Sequence, residues 1–108
     1  MTFPELNIAR SNATGVVMID HLYVFGGKNE NGYVRQIERL NLKNINSKFE
    51  TIDIMLPHTG ACDIGVVLMN NTNSYSEVML IGGFNGQSLS NRYRLTASIN
   101  SSAFVDNS

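Results

Sequence analysis

Two segments of the chain, residues 22–25 and 78–81, are runs of four apolar residues that end in a pair of glycines. Each follows another apolar run, residues 16–19 and 66–69. Because Val, Ile, Leu, Tyr and Phe dominate and glycine bounds the runs, they predict β-strands rather than helices. Successive positions are apolar, not only alternate ones, so we expect these strands to be covered on both faces of a sheet.

Polar segments connect and follow these strands. Asp20 and His21 are predicted to form a two-residue turn in the first hairpin, and residues 70–76 a longer turn in the second. Polar loops rich in Asn and Gly are expected after the glycines, at residues 28–32 and 84–87.

A more polar pair of strands follows each hairpin. Residues 34–42 alternate in polarity, which places Leu40 and Leu42 on one face, and residues 49–54 form the fourth strand. In the second copy, residues 90–95 and 103–105 take these two places. Strands with one apolar face and several charges suit the edge of a sheet.

The chain is therefore an internal repeat of four short strands. Gly15 and Gly65 are 50 residues apart, and Gly26 and Gly82 are 56 apart. This alignment matches residues 37–42 with 90–95, so that Tyr93 stands at the position of Leu40. A period near 50 with four strands per unit is typical of the blades of a β-propeller.

Particular residues of this repeat resemble the kelch family. An apolar strand that ends in a double glycine occurs in both copies, and a Tyr strand follows in the second. Phe49 stands where the family has Trp, and Leu40 where it has Tyr. Arg10 resembles an Arg found ahead of the first strand, whereas the second copy has Gly60 there. The residues that carry the resemblance as a structural signature are Gly26, Gly27, Gly82, Gly83, Phe49 and Tyr93.

The resemblance implies an all-β fold of two consecutive four-stranded antiparallel blades of kelch type, a partial β-propeller. We expect residues 1–108 to form a single partial propeller: blade one at 10–54, a connector at 55–62 and blade two at 63–105. Propellers have about four to eight blades. Two blades leave apolar sheet faces uncovered, and we favour further blades of a longer chain as their cover. Copies of this chain or another subunit could also complete the ring. The remaining alternative is that the two sheets pack face to face as a small sandwich.

Composition narrows the class of protein. The chain has 43% hydrophobic and 16% charged residues and a formal net charge of -1, without a block of like charge. Nothing here favours nucleic acid or an anionic membrane as a partner. No apolar run approaches the roughly 20 residues that span a bilayer, and residues 1–10 lack the apolar core of a signal peptide. We expect an intracellular protein of the cytoplasm.

Few residues are candidates for chemistry. Cys62 is the only cysteine, so neither an internal disulfide nor a Cys-based zinc site is expected. His58 and Cys62 lie four residues apart beside Asp63, but Pro57 and Gly60 interrupt the segment, so the spacing does not place them on one face. Lys28 follows a double glycine without the spacing of a phosphate-binding loop. We expect no catalytic site, no metal site and no cofactor.

The kelch resemblance implies a protein-binding scaffold without catalytic activity. In that family, loops at one rim of the propeller bind protein partners. The candidates here lie in the loops after the double glycines: Lys28, Tyr33, Phe84, Asn85 and Gln87. Two alternatives stay open: a fragment of a propeller enzyme that acts on sugars or uses copper, and a purely structural subunit of a large assembly.

Overall fold

The computed structural model describes residues 5–44, 46–57, 60–72, 74–90, 92–98 and 102–106. These residues form ten strands and confirm the all-β class. The strands are β1 (Thr14–Met18), β2 (His21–Phe25), β3 (Lys28–Asn29), β4 (Gly32–Tyr33), β5 (Gln36–Asn41), β6 (Glu50–Met55), β7 (Gly65–Asn71), β8 (Tyr75–Ile81), β9 (Arg92–Ser98) and β10 (Ser102–Asp106).

Eight of the strands form two four-stranded antiparallel sheets, as the repeat predicts. The first sheet has the order β1-β2-β5-β6, and the second the order β7-β8-β9-β10. The more polar strands β6 and β10 lie at the edges opposite β1 and β7. The segment after the first double glycine, predicted as a loop, is a small hairpin of β3 and β4.

Two predicted boundaries differ from the structure. The first hairpin turns at Ile19 and Asp20, with φ of 48° and 60°, and His21 already pairs with Met18. Positive φ at both central residues is what a type I′ turn requires. The second hairpin is longer than predicted, since β7 extends to Asn71 and β8 begins at Tyr75.

The pairing of the strands also corrects the alignment of the two copies. Phe25 and Ile81 each precede a double glycine; Phe25 pairs with Thr14, and Ile81 pairs with Gly65. Gly65 therefore corresponds to Thr14 and not to Gly15. A shift by one residue exchanges the two faces of a strand, which explains why the uncorrected alignment hides the pattern of burial.

The third strands need a larger correction, of two residues, which leaves their faces unchanged. Val24 pairs with Glu38, and the corresponding Leu80 pairs with Tyr93. Tyr93 therefore takes the place of Glu38, and Leu95 takes the place of Leu40. Leu42 does not share the buried face of Leu40, since β5 ends at Asn41 and Leu42 is 43% exposed.

The two sheets pack against each other around one core. We call the face of the first sheet that enters this core its front face, and the opposite face its back face. In the second sheet, the front face is the one whose residues correspond to the front face of the first in the corrected alignment. The front face of the first sheet contributes Met18, Tyr23, Phe25 and Ile37, and the back face of the second contributes Val78, Leu80, Leu95 and Ala97. Burial of each large side chain contributes about 1.5–3 kcal/mol.

Front-on-back packing is the arrangement of consecutive propeller blades. It leaves the front face of the second sheet uncovered, so Ile81 is 43% exposed although the corresponding Phe25 is fully buried. Val67 and Val17, on the outer faces of the two sheets, are also exposed. The prediction of strands covered on both faces is therefore wrong for these positions, and the prediction of uncovered apolar faces is confirmed.

Candidate protein-binding rim

The double glycines lie at one end of both sheets. We call this end the Gly-Gly rim and define it as the two glycine pairs together with residues 28–33 and 84–88. Gly26 has φ of 72° and Gly82 has φ of 69°, values that L-residues other than glycine adopt at a cost. A Cβ on Gly26 would lie 2.7 Å from the carbonyl oxygen of Ala61. This glycine therefore permits the backbone ahead of the second sheet to contact the first sheet.

The segments ahead of the sheets, residues 5–13 and the described part of 56–64, are the two lead-in segments. Each pairs with the rim of its own sheet. Ser11 forms a β-bridge with Lys28, and Cys62 forms the corresponding bridge with Phe84. Both bridges have two backbone hydrogen bonds of 2.8–2.9 Å. The first residue after each double glycine is thus held to its lead-in segment.

Hydrogen bonds also join the two lead-in segments to each other. Asn12 and Asp63 occupy corresponding positions with φ of 57° and 55°. The Nδ2 of Asn12 donates to the Oδ1 of Asp63 at 3.0 Å, and the N–H of Asp63 donates to the carbonyl of Asn12 at 3.1 Å. The N–H of Gly27 donates to the carbonyl of Ala61 at 2.9 Å. The rim therefore lies on a hydrogen-bonded junction between the two halves of the chain.

The structure brings together two of the rim residues that the sequence nominates separately. The rings of Tyr33, in the hairpin after the first double glycine, and Phe84, directly after the second, have centroids 6.4 Å apart and an interplanar angle of 68°. This is an edge-to-face contact, worth about 0.5–1.5 kcal/mol. Phe84 remains 40% exposed and Tyr33 is half-buried.

The other three candidates surround this aromatic pair in sequence and differ in exposure. Lys28 and Gln87 are exposed, and Asn85 is half-buried. The N–H of Asn85 donates to the carbonyl of Gln87 at 3.2 Å, which closes the turn after Phe84. Their role in binding a partner stays a prediction.

The remaining signature residues have structural positions. Phe49, just before β6, is buried, and its carbonyl accepts a hydrogen bond of 2.9 Å from the side chain of Asn7. Tyr93 lies in β9 on the back face of the second sheet.

An ion pair that the sequence analysis missed fixes the first lead-in segment. Arg10 and Glu38 form a salt bridge of 2.7 Å, and neither side chain is exposed to solvent. Arg10 also donates to the carbonyls of Gly26 and Gln36, at 3.1 and 2.9 Å. Arg10 was singled out by its position, but Glu38 carries no local signal in the sequence, and only the strand register shows that the two meet.

Cys62 is buried next to Asp63, and its Sγ donates to the Oδ2 of that residue at 3.3 Å. Burial, and then the hydrogen bond and charge of Asp63, raise the pKa of the Cys62 thiol. His58, considered with Cys62 as a pair, lies outside the described residues. Within the described ranges there is no group of three His, Cys, Asp or Glu side chains that could hold a metal ion.

In the part of the chain that the structure describes, no helix has the length and apolar character needed to cross a membrane.

Part of the chain matches a known family of proteins. The family model described as Kelch motif matches residues 9–51, from the first lead-in segment to the start of β6. The match does not extend to the second sheet, although the second sheet has the same strand order as the first. No curated protein matches the chain.

Proposed function

We propose that this chain, whose residues 9–51 are a kelch motif, is a propeller-blade module that binds another protein through its Gly-Gly rim. The proposal assigns it no catalytic activity and an intracellular location. The observation that supports it most is the contact between Tyr33 and Phe84, which joins the loops of two sheets into one surface.

The aromatic pair has the properties of a binding hot spot. Aromatic side chains near the centre of an interface contribute a large share of the binding energy, and polar residues around them exclude water. Phe84 supplies exposed apolar area, and Lys28 and Gln87 supply exposed polar groups. The partner that suits this surface is a peptide or loop with an apolar anchor residue.

The support beneath the rim favours binding without rearrangement. Lys28 and Phe84 are each held by two backbone hydrogen bonds to a lead-in segment. Loops that a rigid scaffold positions are common carriers of recognition, because little conformational entropy is lost when they bind.

Selection from a peptide library against the purified chain tests this proposal. The affinity of the selected peptides is then measured for the wild type, Phe84→Ala and Leu42→Ala. Leu42 is the matched control, since it is 43% exposed against 40% for Phe84 but lies outside the rim. We expect Phe84→Ala to weaken binding about tenfold or more, or about 1.4 kcal/mol, and Leu42→Ala to leave it unchanged. Peptides that bind both variants equally well would refute the role of the rim.

The uncovered front face of the second sheet favours a second role, the docking of a further blade. Ile81 and Val67 are 43% and 48% exposed on the face that, in the first sheet, packs against the next sheet. Kelch-type blades assemble side by side through such faces. A loss of this contact on Ile81→Lys, with peptide binding at the rim unchanged, would separate the two roles.

A further inference from the structure

The second sheet and its lead-in segment line a partly open cavity of about 260 Å³. Its apolar lining includes Leu56, Ala61, Ile64, Leu80, Leu89 and Tyr93. Gly82 and Asn85 also line it, so the cavity reaches the Gly-Gly rim.

The first sheet shows why this space is empty. Ser11 and Cys62 form corresponding bridges, so the residues before them, Arg10 and Ala61, also correspond. The positions of Glu38 and Tyr93 correspond through the strand register. In the first sheet, the buried side chain of Arg10 therefore fills the space between the lead-in segment and β5. In the second sheet, the corresponding residue is Ala61, whose side chain is a single methyl group.

The size of the cavity suits an aromatic ligand. An engineered apolar cavity of about 150 Å³ is known to bind benzene. A cavity of about 260 Å³ has room for one aromatic ring or for a bicyclic ring. Small-molecule sites are typically apolar with a few polar groups that fix orientation, and the lining here has that character.

The charge of the ligand follows from the exchange of Glu38 for Tyr93. In the first sheet, the carboxylate of Glu38 neutralises the guanidinium of Arg10 at 2.7 Å. Among the described residues that line the cavity there is neither a carboxylate nor a basic side chain. An ion of either sign bound among these side chains would lose hydration without gaining a counter-charge, which is unfavourable. The ligand is therefore uncharged.

One polar contact is indicated by the first sheet. The carbonyl of Gly26 accepts a hydrogen bond of 3.1 Å from Nη1 of Arg10. Gly82 is the corresponding residue and lines the cavity, so its carbonyl is the acceptor that a ligand would meet. We propose that the cavity binds an uncharged aromatic group with one N–H or O–H donor, of the size of a phenol or an indole. The cavity shares Gly82 and Asn85 with the rim but not the aromatic pair of Tyr33 and Phe84, so the two proposed sites can be tested separately.

Titration of the isotope-labelled chain with indole and with phenol, followed by NMR, tests the proposal on the wild-type protein. We expect saturable shift changes at the methyl groups of Leu80, Leu89 and Ile64, and no such changes with propylguanidine. The absence of saturation up to the solubility limit would overturn the proposal. Changes confined to the exposed Val67 and Ile81 would overturn it as well, because they would show adsorption to the front face.

Two variants fill the cavity by different means. Ala61→Leu adds a neutral side chain, and Ala61→Arg with Tyr93→Glu transfers the ion pair of the first sheet. We expect either to weaken indole binding about tenfold or more; undiminished binding in a folded variant would contradict the site. Phe84→Ala should leave indole binding unchanged, which distinguishes failure of this site from failure of the rim.

Capped tryptophan and tyrosine amides identify the source of the aromatic group. Free indole or phenol that binds more tightly than the amides supports the site as one for a small molecule. Amides that bind more tightly than the free rings support a side chain delivered by a peptide.

Discussion

The carboxylate of Glu38 and the guanidinium of Arg10 are 2.7 Å apart, and both side chains are fully removed from solvent. Glu38 also accepts hydrogen bonds from the backbone N–H groups of Asn7 and Ile8, at 2.6 and 3.1 Å. One buried carboxylate thus fastens the first lead-in segment to the back face of the first sheet.

Arg10→Met should destabilise the fold by about 3–5 kcal/mol, because it leaves the carboxylate of Glu38 buried without its partner. Urea unfolding followed by circular dichroism measures the loss. The control is Arg39→Met, since Arg39 pairs with Glu50 where the side chains are 31% and 57% exposed. Exposed pairs contribute less than about 1 kcal/mol. Equal losses in the two variants would show that the burial of the first pair has no energetic role.

Gly26→Ala should cost more stability than Gly82→Ala. Both substitutions force an L-residue into the left-handed region, at about 1–2 kcal/mol. Only the Cβ at position 26 also approaches a backbone oxygen from the other half of the chain, that of Ala61 in the second lead-in segment at 2.7 Å. At position 82 the nearest atom is the carbonyl oxygen of Leu89, at 3.2 Å. Thermal unfolding of the two variants measures the difference, and equal midpoints would count against the contact between the sheets.

Cys62 should react slowly with thiol reagents in the folded protein. Burial and the neighbouring Asp63 raise the pKa of its thiol, so the reactive thiolate is scarcer at neutral pH than in an exposed cysteine. We expect alkylation by iodoacetamide at pH 8 to be slow in buffer and fast in concentrated urea. A rate in buffer equal to that of a small-molecule thiol would contradict both the burial and the direction of the shift.

Ile81→Lys should reduce association of the chain with itself or with a further blade while leaving the core intact. The position is 43% exposed, so we expect its unfolding free energy to change by less than about 0.5 kcal/mol. Sedimentation at increasing concentration measures the association. Leu42→Lys is the control at the same exposure, 43%, on a different surface. Identical sedimentation of the wild type and both variants would argue against the front face as a docking surface.

The strands themselves could be predicted from the sequence because their apolar runs and bounding glycines are local features. The turn at Ile19 and Asp20 was assigned one residue too late, since Ile is a poor candidate for positive φ and the polar pair Asp20 and His21 looks more favourable. Such an error is small along the chain, but it exchanges the faces of a strand.

The site was less accessible to sequence reasoning than the fold. The rim residues were nominated from their place after the double glycines, but the contact between Tyr33 and Phe84 depends on how two sheets pack. The pairing of Arg10 with Glu38 spans 28 residues and depends on the register of β2 with β5. The cavity lies where Ala61 and Tyr93 replace that pair. The uncorrected alignment matched Tyr93 with Leu40 instead of Glu38, so it could not show this replacement.

The packing of a front face on a back face has a consequence for symmetry. Two copies joined through these faces use different patches, so the contact is heterologous and has no two-fold axis. Repetition of such a contact gives either a closed ring or an open filament, depending only on the rotation between successive units. The two hydrogen bonds between Asn12 and Asp63 join the lead-in segments at the junction of the two sheets, so they contribute to the rotation on which closure depends.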